Sequence, residues 1–269
     1  MTINNTNNNK GHLFAEERKN EIVEILNVQE KILVPELVDY FQVSAATIRN
    51  DLRDLEHDGL LKRTHGGALA LVFPTVGFEK ESEIKGYEYL TQKHAIAKKA
   101  FELVEEGDVI VLDAGTTSLE FARLLKEIKN ITVVVNDLEI ARCFDDSNGI
   151  QVLIIGGTLR KKFHCTVGQF ATKTLSEINV DKAFLSTNSF SLEKGCTTPD
   201  VSQAEIKKVM SDIASQVIVL CDSSKIGITS FVQFVPAAEI DILITDNDIN
   251  QITLQKLIDS DLKVIVADG

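Results

Sequence analysis

The stretch VLDAGTTSLEFA, residues 111–122, joins an apolar run to a helical pattern through residues that could hold an anion. Gly115 lets the backbone approach a ligand closely, and a helix that begins here offers free N–H groups and the positive end of its dipole. Thr116 and Thr117 add hydroxyl donors, while Asp113 can accept hydrogen bonds from hydroxyl groups. The pattern predicts a phosphate site, and the phosphate could belong either to a substrate or to a signal.

Polar residues and glycines also end three other apolar runs. They are Asn136, the pair Gly156 and Gly157, and Asp222 with Lys225. Because ligands in an open α/β sheet bind beyond the carboxyl ends of the strands, these residues could line the same crevice. We expect Lys225 to supply positive charge for the phosphate and Asp222 to accept hydrogen bonds from sugar hydroxyls.

Each of these residues also has a purely structural explanation. Thr117 with Glu120, and Ser202 with Glu205, match the capping-box pattern of a helix start. The glycine pair could form only a turn, and the lysine could be solvated in a loop. The group is therefore stronger evidence for a binding site than any one of its members.

A second candidate site lies on a predicted helix at residues 44–59, for which Ser44 is a suitable N-cap. Ile48, Leu52 and Leu55 recur at helical spacing and predict the buried face. Arg and Asn side chains match the base edges of guanine and adenine in the major groove of DNA. The outer face of the helix carries or is flanked by Ala46, Thr47, Arg49, Asn50, Arg53 and His57.

The residues after this helix, LLKRTHGGALAL at 60–71, are two short extended runs around a glycine pair and predict a hairpin. Lys62, Arg63 and His65 lie where the wing of a winged helix would meet DNA phosphates. The alternative is an amphipathic helix whose outer face is merely solvated. The charges give that alternative some weight, because residues 44–67 contain four Lys or Arg and four Asp or Glu, but the spacing of the residues favours DNA binding.

The elements around these sites indicate two domains. Residues 14–70 hold three helical patterns and the hairpin, which predict a winged helix-turn-helix domain. Residues 1–13 read as a disordered polar tail, and residues 71–90 read as a linker. In residues 91–269, seven apolar runs of strand length alternate with helical stretches. Strands without polar alternation are buried on both faces, so we expect a larger, mainly parallel α/β domain.

Composition excludes several classes of function. A net charge of −12 disfavours indiscriminate nucleic-acid binding, although it allows a local DNA-reading face. We find neither an apolar stretch of membrane-spanning length nor the apolar core of a signal peptide, and expect no membrane association. Four cysteines without a CxxC pair indicate a reducing cytoplasm. Because the histidines show no spacing typical of metal ligands, we expect no metal and no cofactor.

Residues 17–68, from ERKNEIVEIL to GLLKRTHGGA, closely resemble the DNA-binding domain of DeoR-type bacterial transcriptional regulators. The family's recognition helix and wing follow the pattern TIRxDLxxLexxGLLxRtHGGA, and nearly every element of that pattern is present. The resemblance implies binding to operator DNA. It assigns the contacts to Thr47, Arg49, Asn50, Arg53, Arg63 and His65.

The resemblance extends through the second domain. It implies the fold of ribose-phosphate isomerases and glucosamine-phosphate deaminases, with which these regulators bind phosphorylated sugars as effectors. It also adds Lys93 and Glu205 to the candidate effector-binding residues. The similar segments are DAGTTSLEFARLL at 113–125, VVVND at 133–137, LIIGGTLRKKFHCTVG at 153–168, CTTPDVSQAEIKKVM at 196–210 and LCDSSKIG at 220–227.

One segment departs from the family's pattern. Where many relatives have "gadGid", this chain reads FLSTNSFSLEKGC at residues 184–196. Thr187, Asn188 and Ser189 stand there in place of small and acidic residues. These side chains could face the sugar, and Asn188 joins the candidate effector-binding residues. The change leaves an amino-sugar, a ketose and a sugar-acid phosphate all open as effectors.

An isomerase or deaminase on this fold would need a base to move a proton, for which Asp200, Glu205 and Asp222 are available. Because a DNA-binding module is attached, the pocket could serve to regulate DNA binding. We therefore predict that the bound phosphate compound is a signal and that the protein is not an enzyme. We expect a cytoplasmic repressor of a carbohydrate-utilisation operon, dimeric or higher, which is relieved or modulated by a phosphorylated sugar bound in the second domain. The alternatives are sugar-phosphate isomerase or deaminase activity, and a constitutive DNA-binding protein whose second domain is purely structural.

Overall fold

The computed structural model describes residues 14–29, 31–57, 60–64, 66–70, 77, 79 and 81–268. These residues belong to two compact units, Met1–Pro74 and Thr75–Gly269. The polar tail that the sequence predicts for residues 1–13 lies outside the described residues.

The first unit combines three helices with a small antiparallel sheet. Its sheet has the order β1-β3-β2, so that β2 and β3 form the predicted hairpin and β1 extends it. The apolar stripes of the helices meet in one core that includes Ile22, Leu37, Ile48 and Leu52. This arrangement confirms the predicted winged helix-turn-helix. The elements are α1 Ala15–Gln29, β1 Lys31–Leu33, α2 Val34–Phe41, α3 Ala45–His57, β2 Leu61–Thr64 and β3 Gly67–Ala70.

The second unit is built on a sheet of seven parallel strands. The strands of this unit are β4 Val109–Leu112, β5 Ile131–Val135, β6 Ile150–Ile154, β7 Thr158–Arg160, β8 Cys165–Val167, β9 Val180–Ser186, β10 Ser189–Ser191, β11 Gly195–Thr198, β12 Ala214–Leu220, β13 Val232–Val235, β14 Ile242–Asp246 and β15 Lys263–Ala267. The main sheet has the order β15-β14-β12-β9-β4-β5-β6, and every neighbouring pair is parallel. The seven apolar runs of the sequence are these seven strands, so the predicted sheet is confirmed.

Helices cover both faces of this sheet. In β4, Ile110 and Leu112 pack into one core cluster, while Val111 packs into the other. This strand therefore alternates between two apolar cores, which explains the absence of polar alternation in its sequence. The helices are α4 Ser82–Tyr87, α5 Leu90–Phe101, α6 Thr116–Leu125, α7 Leu138–Cys143, α8 Gln169–Leu175, α9 Val201–Asp212 and α10 Gln251–Ile258.

Two small antiparallel pieces of sheet were not predicted. β7 pairs with β8, and β11 lies between β10 and β13 in a three-stranded sheet. The strands TLR, SFS and GCTT are short and largely polar, so they lack the apolar run by which the other strands are recognised.

The second unit begins earlier in the chain than the sequence predicts. Residues 71–90 read as a linker because of their charges, yet α4 lies inside this range and Leu90 already opens α5. Glu79 and Lys85 form an ion pair of 2.8 Å between Oε1 and Nζ. These two charged residues therefore belong to the folded unit.

Within the described part of the chain, no helix combines the length and the apolar character that crossing a membrane requires. Among the same residues, no group of three or more His, Cys, Asp and Glu side chains is arranged to hold a metal ion.

Candidate functional site

The turn between β4 and α6 forms the floor of a cleft. Gly115 is the N-cap of α6 and has a φ of +154°, which side-chain-bearing residues rarely adopt. A Cβ atom at this position would lie 2.8 Å from Ser186 Oγ, so only glycine lets the turn pack against the end of β9. The hydroxyls of Ser118 and Ser186 are hydrogen-bonded at 2.9 Å. The first turn of α6 is thereby fixed with its unpaired N–H groups at the carboxyl end of the sheet.

A buried ion pair lies beneath this turn. Asp113 is fully buried and pairs through Oδ2 with Lys207 Nζ, which also donates to the carbonyl oxygen of Ser186 at 2.8 Å. The backbone N–H of Ser186 donates to the same carboxylate at 3.0 Å. Burial raises the pKa of Asp113, and the charge of Lys207 opposes this rise. Asp113 therefore positions a lysine of α9 at the cleft and is not itself exposed to a ligand.

Lys225 enters the cleft from the turn after β12. Its Nζ lies 2.8 Å from Oδ2 of Asp222, which is buried. Burial acts to lower the pKa of Lys225, but the carboxylate of Asp222 raises it above its ordinary value. The lysine is therefore held in its charged form beside the cleft.

Glu79 also lines the cleft and is held there by three donors. Its Oε1 accepts from Lys85 Nζ at 2.8 Å and from Asn188 Nδ2 at 3.2 Å, and its Oε2 accepts from Arg160 Nη2 at 3.1 Å. The Arg160 guanidinium lies over the Phe163 ring at 4.0 Å from its centroid. Burial acts to raise the pKa of Glu79, but Lys85 and Arg160 hold it below its ordinary value.

We call the space enclosed by these groups the inner cleft. It has a cavity volume of about 40 Å³. Since one water needs roughly 10–15 Å³ of such volume, the closed cleft holds about three waters. Its lining residues are Glu79, Ser82, Lys85, Ala114, Gly115, Thr116, Thr117, Phe163, Cys165, Ser186, Thr187, Asn188, Gln203, Lys207 and Lys225.

An outer cavity of about 490 Å³ adjoins the inner cleft and shares Ser82, Gly115, Thr116 and Phe163 with it. This volume lies within the range of roughly 300–1,000 Å³ that small-molecule pockets occupy. The remaining lining residues are Gly86, Leu90, Leu119, Glu120, Arg123, Asp137, Glu139 and His164.

Seven of the twelve effector-binding residues predicted from the sequence lie in or directly beneath the inner cleft. Gly115, Thr116, Thr117, Asn188 and Lys225 line it, while Asp113 and Asp222 pair with its lysines. The other five do not line it: Lys93, Asn136, Gly156, Gly157 and Glu205.

Two of these five stabilise neighbouring segments. Lys93 is buried and donates to the backbone carbonyls of Lys85 and Glu88, the latter at 2.6 Å. Burial and the charge of Lys225 lower the pKa of Lys93 to about 8. Asn136 is also buried and donates to the carbonyl oxygen of Thr166 at 2.8 Å.

The other three residues, Gly156, Gly157 and Glu205, lie away from the inner cleft. A Cβ atom at Gly157 would lie 2.6 Å from the carbonyl oxygen of Val167, so this glycine permits close packing of the chain, and Gly156 is exposed. Glu205 is exposed on α9, whereas Gln203 is buried and lines the cleft. Residues two apart on a helix do not face the same side, so Glu205 points away from the cleft that Gln203 lines.

Neither predicted capping box forms. The N-cap of α6 is Gly115, and the N-cap of α9 is Asp200, whose carboxylate accepts from the backbone N–H of Gln203 at 2.8 Å. Thr117 is buried in the first turn of α6 and is not its cap.

Several cleft residues were not identified from the sequence, chiefly Glu79, Lys85, Arg160 and Lys207. The first two lie in the segment that was interpreted as a linker. Lys207 follows Gln203 by one helical turn of α9, so both side chains lie on the same face of this helix, and this spacing is the one local signal that points to Lys207.

The second candidate site is the outer face of α3. Ser44 caps the helix by accepting from the backbone N–H of Thr47 at 3.1 Å, and Ile48 and Leu52 are buried as predicted. Thr47 is half-buried. The remaining predicted contact residues on this face are exposed: Ala46, Arg49, Asn50 and Arg53.

The balance of charges on this face differs from that in the sequence. Asp51 is buried and pairs with Arg18 of α1 at 2.6 Å, and Asp54 pairs with Lys19 at 3.1 Å. Two of the acidic residues thus turn toward α1, which leaves the outer face more positive than the equal counts implied.

In the wing, Lys62 and Arg63 are exposed on β2, and Arg63 Nε pairs with Glu56 at 2.8 Å. A Cβ atom at Gly67 would lie 2.0 Å from the carbonyl oxygen of Ile32, so glycine is required where β3 packs on β1. His65 lies outside the described residues.

Comparison with known families divides the chain in the same way. Residues 18–71 match the DeoR-like helix-turn-helix domain, and residues 88–247 match the DeoR C terminal sensor domain.

Curated relatives match over nearly the whole chain. The transcriptional regulator GlpR of Haloferax volcanii is 37% identical over 257 residues, which cover 96% of this chain and 99% of that protein. The regulator GolR of Listeria innocua is 33% identical and covers 95% of this chain and 100% of its own length. The transcriptional repressor GlcR of Bacillus subtilis is 35% identical, with coverages of 89% and 91%.

Among solved structures, a D-ribose-5-phosphate isomerase in complex with phospho-erythronic acid is similar over 50% of this chain and 52% of its own. The TM-score is 0.38 and the sequence identity is 20%.

Proposed function

The chain belongs to the DeoR family of DNA-binding transcriptional regulators, and from this premise we propose that it represses a carbohydrate-utilisation operon and releases its operator when a phosphorylated sugar binds in the second unit. The observation that carries the effector site is the inner cleft, where the N-terminus of α6 faces two paired lysines, Lys207 and Lys225. Helix N–H groups and ammonium groups together are the donors that phosphate requires.

In this proposal the phosphate lies against the first turn of α6. Gly115 allows its oxygens to reach the backbone N–H groups, and Thr116 adds a hydroxyl. The carbohydrate part of the effector extends into the outer cavity, whose carboxylates Glu120, Asp137 and Glu139 accept from sugar hydroxyls.

The contacts of the carboxylates near the cleft support the proposal that the bound sugar phosphate is a regulatory signal and not a substrate. A catalytic base must be free to take a proton from the bound sugar. Asp222 is paired with Lys225, and Asp200 caps α9 and lies 3.5 Å from Arg160. Glu205 is exposed and does not line the cleft. We therefore propose that the second unit binds sugar phosphates without converting them.

We propose that the first unit places α3 in the major groove of operator DNA. Arg49, Asn50 and Arg53 then read bases, and Lys62 contacts a phosphate from the wing. A homodimer or higher oligomer would present two such helices to repeated half-sites. Because the second helix binds at a high effective concentration, an acidic protein can still hold its operator tightly.

A thermal-shift screen with a panel of phosphorylated sugars tests the effector site. Ligand at about 100 times its dissociation constant stabilises the native state by about 2.7 kcal/mol. We expect at least one compound to raise the melting temperature of the wild type. Thr116→Val should lose this shift, since it removes a donor of the site and changes the volume little.

The matched control is Thr253→Val, which alters a threonine in the first turn of α10, outside both cavities. It should respond like the wild type. If no phosphorylated sugar stabilises the wild type, or if Thr116→Val responds fully, the site is assigned wrongly. Turnover of any compound in the panel would instead support enzymatic activity.

A further inference from the structure

We propose that the carboxylate of Glu79 is an internal anion, which occupies the inner cleft until the phosphate of an effector displaces it. This mode of regulation rests on the proposed function, because it concerns the same cleft. It makes the Glu79 side chain the group of the second unit that changes partners when a ligand binds.

The contacts of Glu79 resemble those of a bound ligand. Its two carboxylate oxygens are held by Lys85 of α4, Asn188 of the loop after β9 and Arg160 at the end of β7. The Glu79 side chain is only 11% exposed. Three donors from three separate elements therefore converge on one carboxylate, which sits in the lining of the cleft itself.

The cations of the cleft fall into two classes. Lys207 and Lys225 are paired with Asp113 and Asp222, which lie just beyond the carboxyl ends of β4 and β12 and are buried. Those partners cannot leave without disturbing the sheet. Lys85 and Arg160 share Glu79, which lies outside the helices and strands of the unit.

Phosphate is a stronger partner for these cations than a carboxylate. It presents three terminal oxygens and up to two negative charges, so it can accept from Lys85, Arg160 and the N-terminus of α6 at once. The closed cleft has room for about three waters, since its volume is about 40 Å³. A phosphate that fills this cleft therefore takes the place of a group that now occupies it, and Glu79 is the charged group whose place it can take.

The position of Glu79 in the chain links its release from the cleft to DNA binding. The second unit begins at Thr75, so Glu79 lies close to the point where the chain passes to the DNA-binding unit. A ligand changes DNA affinity only by binding two states of the protein unequally. Here the two states are Glu79 bound in the cleft and Glu79 released, and phosphate binds the released state.

The test compares phosphate binding by the wild type, Glu79→Gln and Glu81→Gln in full-length protein, using isothermal titration with inorganic phosphate. Glu79→Gln keeps the size of the side chain and removes the competing charge. Glu81 pairs with Lys162 at the surface, with side-chain exposures of 40% and 70%, so Glu81→Gln is the control for the change in net charge. We expect Glu79→Gln to bind phosphate about tenfold more tightly than both other proteins, which corresponds to about 1.4 kcal/mol.

The outcomes separate the two proposals. Equal or weaker phosphate binding by Glu79→Gln overturns the internal anion and leaves the phosphate site standing. Absence of phosphate binding in all three proteins overturns the site and the internal anion together. If Glu79→Gln is poorly folded, as judged by its melting temperature, Glu79→Ala is measured with the same expectation.

In an operator-binding assay without effector, Glu79→Gln should also bind DNA more weakly than Glu81→Gln, and equal binding would contradict the role of Glu79 in coupling.

Discussion

At the scale of single residues, the ion pairs of an arginine decide how readily it can contact DNA. Arg53 and Arg63 both belong to the candidate DNA-binding face. Arg63 Nε pairs with Glu56 at 2.8 Å, whereas Arg53 Nε lies 3.9 Å from Asp54 Oδ1. The side chain of Arg53 is 63% exposed. Arg53 is therefore the better candidate for a base contact, because little has to be broken when it binds.

Replacing Arg53 by alanine should weaken binding to the specific operator by about 1–3 kcal/mol, the usual value of a good bidentate base contact. Binding to random DNA should change little. Fluorescence anisotropy with both duplexes measures the difference, and Arg142→Ala, an exposed arginine of α7 in the second unit, is the control. Equal losses on the two duplexes would show that Arg53 contacts the DNA backbone.

Asp137 gives a prediction for pH dependence. Its carboxylate caps α7 by accepting from the N–H groups of Glu139 and Ile140, and burial raises its pKa from 3.8 to about 6. The folded protein therefore binds a proton here more tightly than the unfolded chain does. Between pH 4 and pH 6, this group makes the free energy of unfolding fall as the pH rises, by an amount on the order of 2 kcal/mol.

Asp137→Asn keeps a good N-cap and removes the titration. As the pH rises from 4 to 7, the free energy of unfolding of this variant, measured by urea denaturation, should therefore increase relative to that of the wild type. Asp145→Asn, at an exposed aspartate shortly after α7, should show no such gain. A constant difference between Asp137→Asn and the wild type across this range would contradict the raised pKa of Asp137.

At the scale of elements, the ion pair of Asp113 and Lys207 joins the end of β4 to α9. Both side chains are almost completely buried, so removal of one partner leaves the other charged and unpaired. Breaking a buried pair in this way usually costs about 3–5 kcal/mol, whereas replacing both partners by apolar residues is often nearly neutral.

Lys207→Met should therefore lower the free energy of unfolding by about 3–5 kcal/mol, as measured by urea denaturation. The double variant Asp113→Leu/Lys207→Met should recover most of that loss. Lys208→Met alters the neighbouring, exposed lysine and should have little effect. A double variant no more stable than Lys207→Met would show that the pair does not account for the loss.

The sequence predicts elements better than it predicts contacts between them. The seven strands of the main sheet are predicted from apolar runs such as VIVL and ILITD. A strand that is buried in the sheet is recognisable from its own run of apolar residues, without knowledge of its neighbours. The cleft turn at Gly115 to Thr117 was recognisable for a similar local reason. Glu79 and Lys207 were missed because their roles depend on partners far away in the chain, Arg160 and Asp113, and no local pattern records such pairs.

At the scale of the whole molecule, we expect a protein with a net charge of −12 to bind DNA through a small face from which acidic groups are withdrawn. Asp51 and Asp54 pair with Arg18 and Lys19 of α1, so that the outer face of α3 presents mainly arginine and asparagine. The rest of the acidic surface disfavours random DNA. We therefore expect specificity to depend on α3 and affinity to depend on two copies of it acting together.

The two units belong to one thermodynamic cycle if the proposed function is correct. An effector that weakens operator binding by a given factor must itself be bound more weakly, by the same factor, when operator is present. Typical coupling free energies of 1–3 kcal/mol correspond to factors of about 5 to 150.

The most direct test is a titration of the operator complex with phosphorylated sugars, followed by the fluorescence anisotropy of labelled operator DNA. At least one of these compounds should reduce the operator affinity of the wild type by a factor of about 5 to 150. Thr116→Val should bind the operator as the wild type does and fail to respond to the same compound. If none of the phosphorylated sugars changes the operator affinity of the wild type, the central claim that the cleft controls DNA binding is contradicted.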